Sequence, residues 1–356
     1  MGLRRPAKCV AIGNTVIGGD APVLIQSMLK CPPADIEGNI RQALALQMAG
    51  CDIIRIAIPD KDAIRLISAM KESVSMPVVA DIHFDWRLAL ESVAAGADKV
   101  RINPGNIGSD DRVKAVAAAC REKNVPIRIG VNAGSVEKHI LSKHGGPSAP
   151  AMAESALYHA GLLERLDFSD IVLSIKSSDA GETIRANRIL AEACGYPLHL
   201  GLTHTGTPAL GLIASAVGIG SLLAEGIGDT IRVSLTDTPE AEIQAAKDIL
   251  KVTGRGSPGV NIISCPTCGR CTNDIVRITN LVSDALKSCN LPITVAVMGC
   301  SVNGPGEARE ADVALVGSRD YCALYKKGKL VGKVNEDETI PALLALVEDL
   351  QQLQED

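Results

Sequence analysis

Aromatic residues are nearly absent from this chain: two phenylalanines, four tyrosines and one tryptophan in 356 residues. A nucleic-acid platform needs stacking rings on a basic face, and a formal net charge of −5 removes the second requirement too. Also missing is any apolar run of the roughly 18–20 residues that a membrane helix requires. The opening Met1-Gly-Leu-Arg-Arg-Pro-Ala-Lys-Cys9 has no apolar segment of the secretory kind. Nor is there an even set of cysteines: eleven cannot all pair within one chain, which excludes a closed disulfide framework. Cys9, Cys31, Cys51, Cys120, Cys194, Cys289 and Cys322 stand singly in strand- or helix-like contexts and read as free thiols. The expectation is a soluble cytoplasmic protein with no membrane and no nucleic-acid partner.

What is there is a repeated unit. Short apolar segments at Val23–Met28, Asp52–Ile58, Pro77–His83, Lys99–Pro104, Pro126–Asn132, Ile171–Ser177, Pro197–Thr203 and Thr230–Thr236 alternate with helical patterns from Asp35–Ala49 to Pro239–Lys251. Eight such βα units within residues 1–255 predict a TIM (β/α)8 barrel. The segment Cys9–Ile17, turning at Gly13-Asn14, predicts a hairpin that plugs its lower mouth. Gly- and Pro-rich Val252–Gly259 reads as a junction. Residues 260–356 then predict a smaller α/β domain, with strands at Asn261–Ser264, Pro292–Met298 and Asp312–Gly317, a helix at Asp274–Ser288, a hairpin around Lys327-Gly-Lys329 and a closing helix from Glu336.

Polar residues interrupt the barrel strands near their C-terminal ends, the face on which barrel enzymes keep their chemistry. They are Arg55, Asp81 with His83, Arg101 with Asn103, Arg128 with Asn132, Lys176, His199 with His204, and Arg232 with Ser234. An unpaired charge inside an apolar strand costs several kcal/mol. So many cations with Asp81 the one clear acid suggest a strongly anionic ligand such as a diphosphate, whose oxygens guanidinium groups bind in pairs. The competing reading is that arginines and Asp81 satisfy one another. His199 alone is as well explained by a structural hydrogen bond. The stretch Asn132–Pro147 predicts a long loop over the mouth, with Ser135 among its phosphate-contact candidates.

In the second domain Cys265-Pro-Thr-Cys268 could be a redox dithiol, half a zinc site or the start of a cluster motif. Cys271 extends it to Cys-x-x-Cys-x-x-Cys, yet the ferredoxin continuation is absent. Cys300 ends an apolar strand, and the turn-forming Ser301–Gly306 can return Glu307 beside it. Three thiolates and one carboxylate would hold one iron weakly, leaving a position for a substrate oxygen.

Long stretches resemble a known family. They are Gly18-Gly-Asp-Ala-Pro-Val-Leu-Ile-Gln-Ser-Met28, Val79-Ala-Asp-Ile-His-Phe84, Val100-Arg-Ile-Asn-Pro-Gly-Asn-Ile-Gly108, Ile127-Arg-Ile-Gly-Val-Asn-Ala-Gly-Ser135 and Ser174-Ile-Lys-Ser-Ser-Asp179. Gly226-Ile-Gly-Asp-Thr-Ile-Arg-Val-Ser-Leu-Thr236, Cys265-Pro-Thr-Cys-Gly-Arg270, Val297-Met-Gly-Cys300 and Asn303-Gly-Pro-Gly-Glu-Ala308 continue the series. Over essentially its whole length the chain resembles the bacterial GcpE (IspG) family, 4-hydroxy-3-methylbut-2-en-1-yl diphosphate synthases of the methylerythritol phosphate route to isoprenoids. The resemblance implies a [4Fe–4S] cluster on Cys265, Cys268, Cys300 and Glu307, with Cys271 left out. It implies reductive ring opening of 2-C-methyl-D-erythritol 2,4-cyclodiphosphate, held by Arg55, Arg101, Arg128, Lys176, Arg232, Asn103, Asn132, Ser135 and Ser234. Flavodoxin or ferredoxin would be the electron donor and a head-to-tail homodimer the assembly. The family's strand-seven acid is His204 here, and the loop Met28–Asp35 departs from the family pattern. The alternatives are a pterin-type barrel transferase with structural zinc and a non-catalytic iron–sulfur carrier.

Overall fold

The strands that valine and isoleucine build, and the breaks that glycine and proline impose, divide the chain into two units, Met1–Gly256 and Ser257–Asp356. The computed structural model describes residues 3–257, 259–271, 273–287, 289–319 and 321–355.

In the first unit β1 (Val10–Ile12) and β2 (Thr15–Ile17) form an antiparallel hairpin. Eight strands follow: β3 (Leu24–Met28), β4 (Ile53–Ala57), β5 (Val78–Asp81), β6 (Lys99–Ile102), β7 (Ile127–Asn132), β8 (Ile171–Lys176), β9 (His199–Leu200) and β10 (Thr230–Ile231). Each pairs in parallel with the next in the chain, a Leu173–Leu198 bridge joins β8 to β9, and β10 returns to β3 through Thr230 opposite Leu24. The ring is closed, and a helical crossover separates each strand from the next, as in a (β/α)8 barrel. Local chemistry starts the helices. Asp35 accepts from the Gly38 N–H to cap Ile36–Met48, Asp179 caps Ala180–Ala193, and Thr238 caps Pro239–Val252 with proline in its first turn.

Because successive strand residues point to opposite faces, each strand serves two environments. Outward Ile54, Ile56, Val78, Ala80, Val100, Ile127, Ile129 and their neighbours pack in one continuous core with the helices. Inward Leu24, Ile53, Val79 and Val172 form a small apolar floor with Val10, Ile12 and Ile17 of the hairpin. The predicted plug is therefore present. Above that floor the interior turns polar.

In this unit two details depart from the sequence reading. β9 and β10 hold two residues each, far shorter than Pro197–Thr203 and Thr230–Thr236. At Gly201 the carbonyl of Arg232 comes within 2.7 Å of where a Cβ would stand, an approach too close for a regular ladder. The stretch Asn132–Pro147 is not an open loop: it holds a 3-10 turn, Ala133–Ser135, and a helix, Lys138–His144. Its root is fastened by buried His159, whose Nε2 lies 2.5 Å from Glu137 Oε1.

The second unit is a five-stranded sheet, β11 (Asn261–Ser264), β12 (Thr294–Met298), β13 (Val313–Gly317), β14 (Cys322–Lys326) and β15 (Lys329–Val334), in chain order. The first three are parallel and the last two antiparallel. One face packs Val295, Val297, Val313 and Leu315 against the helices Ile275–Ala285 and Thr339–Glu355. The other packs Ala296, Met298 and Val316 against Ala308 and Ala311, at the helix Gly304–Glu310. That helix replaces the expected turn. The helix expected to run to Ser288 stops at Ala285, and Ser288 itself lies outside the described residues.

Ile12 is fully buried in the floor. Ile12→Ala is expected to cost about 2–4 kcal/mol, as for other buried isoleucines, read as a lower urea midpoint of the first unfolding transition. An unchanged midpoint would mean that the hairpin contributes nothing to closing the barrel.

Candidate active site

The mouth is built around Asp81, the fully buried last residue of β5. Arg55 of β4 donates through Nη2 to its Oδ2 at 2.6 Å, and Arg101 of β6 through Nη1 to its Oδ1 at 3.3 Å. His83 Nε2 stands 3.5 Å from the same carboxylate. Burial pushes the Asp81 carboxyl up, but the two guanidinium groups outweigh it and hold the group at about 2. Arg101 also donates to the Gly130 carbonyl at 3.4 Å. A Cβ on Gly130 would meet Arg101 Nε at 2.5 Å, and one on Gly201 would meet Lys176 Nζ at 2.7 Å. Two strands thus carry glycine where a cation needs room.

The mutual-satisfaction reading holds for Arg55 and Arg101 and fails for the rest. Among the described residues, Arg128, Lys176 and Arg232 have no acid within ion-pair distance. Arg128 is not at the rim: it is 1% exposed, with Nε and Nη1 buried and without a hydrogen-bond partner. Burial and the neighbouring guanidinium groups depress Lys176 well below the usual lysine range. His199 is fully buried, with Nδ1 2.8 Å from Thr230 Oγ1 and Nε2 without a partner. Burial and the surrounding cations push it well below the usual imidazole value, so it is neutral.

At the rim Asn132 and Ser135 fix each other: the Asn132 N–H donates to Ser135 Oγ at 2.9 Å, and Ser135 Oγ donates to the Asn132 carbonyl at 3.0 Å. Asn103 is buried just past β6. The loops beyond β8, β9 and β10 are stitched together by the Thr203 N–H on the Ser177 carbonyl at 3.2 Å and by Thr205 Oγ1 on the Ser234 carbonyl at 3.4 Å. His204 lies between those two ties, exposed, in the left-handed conformation at φ +55°, which histidine tolerates better than most residues.

In the second unit the cysteines leave one edge of the sheet. Ser264 is opposite Val297, and the Cys265 N–H continues the ladder to the Val297 carbonyl at 3.0 Å, so Cys265 and Cys300 follow the C-terminal ends of neighbouring parallel strands. All eleven cysteines are free. Backbone N–H groups of Asn303 and Val302, with Arg270, hold the Cys300 thiol below its usual range, favouring the thiolate that binds metals. Cys268 and Glu307 are exposed, Cys265 and Cys300 half-buried. Cys271 turns the other way. Its thiol donates to the Asn273 carbonyl at 3.2 Å and packs 2.5 Å from where a Gly299 Cβ would be, beside Ile275. Among the described residues no three His, Cys, Asp or Glu side chains are gathered into a closed metal site. The donor chemistry of Cys265, Cys268 and Cys300 still suits iron and sulfide.

Residues 7–247 match the GcpE TIM-barrel domain and residues 261–349 the GcpE protein C-terminal domain. The chain belongs to the GcpE family of 4-hydroxy-3-methylbut-2-en-1-yl diphosphate synthases. It is 50% identical over 347 residues to the 4-hydroxy-3-methylbut-2-en-1-yl diphosphate synthase (flavodoxin) of Clostridium perfringens, covering 98% of this chain and 99% of that one. The enzyme of the same name from Symbiobacterium thermophilum is 52% identical over 345 residues, 97% of this chain and 93% of that one. Among solved structures, dihydropteroate synthases of Stenotrophomonas maltophilia (TM-score 0.52, 16% identity) and Yersinia pestis (0.50, 10%) superpose on 69% of the chain, covering 98% and 99% of theirs. At that identity they share the barrel fold alone. Family membership decides against the transferase reading.

In this GcpE barrel the sequence reading missed Lys99 and Gln26, both buried inside. Lys99 Nζ and both amide atoms of Gln26 have no hydrogen-bond partner. Lys99 opens its strand directly after Asp98, where a lysine looks like an ordinary solvated strand start, so no local signal marks it.

Asp81 supplies stability that is present above the ordinary carboxylate range and lost as pH falls through about 2. Asp81→Asn leaves Arg55 and Arg101 without their counter-charge. It is expected to lower stability at pH 7 by about 2 kcal/mol, the size of the shift expressed as energy, and to flatten the acid limb of a denaturation profile. A profile unchanged below pH 4 would contradict the pairing.

Proposed function

We propose that this chain carries out the two-electron reductive opening and dehydration of 2-C-methyl-D-erythritol 2,4-cyclodiphosphate to 4-hydroxy-3-methylbut-2-enyl diphosphate. The cofactor is a [4Fe–4S] cluster on Cys265, Cys268, Cys300 and Glu307. The observation that carries the reading is the charge inside the barrel: Arg55, Arg101, Arg128, Lys176 and Arg232 face it, and among the described residues Asp81 is the one acid that forms an ion pair with any of them. A cyclic diphosphate supplies the missing negative charge.

Arg55 and Arg101, fixed by Asp81, present N–H pairs to phosphate oxygens, while Arg128 meets them from the deeper side and Lys176 and Arg232 from their own strands. Asn103, Asn132, Ser135 and Ser234 add neutral donors at the rim. His199 holds its ring against Thr230 and contributes shape rather than charge. Two electrons enter, and a ring carbon–oxygen bond breaks with its pair left on the phosphate oxygen. One hydroxyl then leaves with a proton as water. His204, exposed between the ties of strands seven and eight, delivers that proton in the place of the family's acid. Bound on the three thiolates and Glu307, the cluster would supply those electrons one at a time, with flavodoxin, named for the relatives, as donor and ferredoxin as an alternative donor.

A head-to-tail homodimer completes the proposal. It is supported by an exposed apolar stripe on the helix Pro208–Ala224, where Leu210, Ile213 and Val217 are 61, 60 and 50% exposed. The free cysteines suit a reducing cytoplasm, and no described helix is long and apolar enough to cross a membrane.

Anaerobic purification followed by iron and sulfide analysis, with turnover of the cyclodiphosphate under a one-electron reductant, tests the reading; absence of both cluster and turnover would overturn it. Glu307→Cys is expected to keep the cluster and lower turnover by roughly 100-fold, the loss typical when a group acting in the transition state is removed. Full activity in that variant would mean that another residue is the fourth ligand.

A further inference from the structure

Lys99 is the deepest cation in the barrel. It points inward at the start of β6, two residues below Arg101 and opposite Val79 of the apolar floor. It is fully buried, and its amine has no hydrogen-bond partner. The charges that bear on it are Arg128 from β7 and Arg55 from β4, and it lies in turn within the field felt by buried His199 of β9. Arg55 is already paired with Asp81, and among the described residues no acid stands within ion-pair distance of Lys99 or Arg128. A guanidinium cannot shed its proton under these conditions, whereas an amine can.

We infer that Lys99 sets the charge preference of the mouth: its amine is neutral while the barrel is empty and becomes an ammonium when a doubly charged anion sits on the arginines above. This deepens the reading of the mouth as a diphosphate site and rests on it. Burial, then Arg128 and Arg55, drives the empty-state group well below the ordinary lysine value. An anion reverses the field that Arg128 and Arg55 create, so binding draws one proton from solvent onto Lys99 Nζ. The sign follows: a site that gains a proton with its ligand loses affinity as pH rises. A singly charged ligand reverses less of the field, recruits less of the proton, and is disfavoured.

Calorimetry of the purified protein in buffers of different ionisation enthalpy reads the proton directly. Two probes are used, the cyclodiphosphate and sulfate, neither of which has a second phosphate-type ionisation near neutrality. Lys99→Met is expected to take up about one proton fewer per bound dianion than wild type, whatever Lys176 and His199 add in both proteins. That variant should also lose about tenfold of its preference for sulfate over a monoanion such as nitrate, the effect of one charge at the dielectric of a protein surface. Equal uptake in both proteins, or binding by wild type with no uptake, overturns the inference. Binding of sulfate with uptake, but none of the cyclodiphosphate, would instead overturn the assigned substrate and leave Lys99 its role. Should Lys99→Met fail to fold, the lysine 13Cε resonance of wild-type protein decides: it must shift from the neutral to the charged position when sulfate is added, and a resonance that stays put excludes the change.

Discussion

Everything at the barrel mouth depends on one carboxylate that cannot neutralise its surroundings. Asp81 is shared between Arg55 and Arg101, and beyond them Arg128 and Arg232 enclose the same volume without a second acid at ion-pair distance among the described residues. Burying charge without a partner is among the most expensive things a fold can do. The barrel tolerates it because the outward faces of the same strands lie in an unbroken apolar core. Stability comes from one side of each strand and the polar lining of the mouth from the other.

That division explains what could and could not be read beforehand. Arg55, Arg101 and Arg128 stand out in sequence because they interrupt valine and isoleucine in segments too short for a helix. Their depth does not: Arg128 pairs in register with Arg101 yet is far more enclosed, because strand tilt and the missing side chain at Gly130 decide which cation reaches the rim. Lys99 escaped for the opposite reason, since the first residue of a strand carries no alternation to be judged against. The helix Lys138–His144 was hidden by its length, two turns giving too little periodicity to recognise. Asn303-Gly-Pro-Gly306 has the composition of a turn, but a proline in the first helical turn sacrifices no hydrogen bond, and the segment folds as the helix that carries Glu307.

The second unit solves a different problem. Parallel neighbours β11 and β12 deliver Cys265 and Cys300 to one edge without a turn between them, and the helix that follows Cys300 is held down by Ala308 and Ala311. Cys265 and Cys300 are therefore anchored by a sheet, while Cys268 and Glu307 are exposed. Cys271, the thiol that makes the sequence look like a ferredoxin, belongs to the apolar side. Spacing alone could not make that distinction, because it lies in the direction a side chain points.

The hairpin plug has a consequence beyond packing. With Ile12 and Ile17 sealing the lower end, the cations lie between an apolar floor and the mouth, inside a ring of strands whose outer faces are hydrocarbon. Field lines from such a tube leave through its single opening instead of spreading in all directions. A floor of valine, isoleucine and leucine thus acts as the back plate of an electrostatic funnel, lengthening the reach over which a small dianion is drawn in and making its capture rate sensitive to ionic strength.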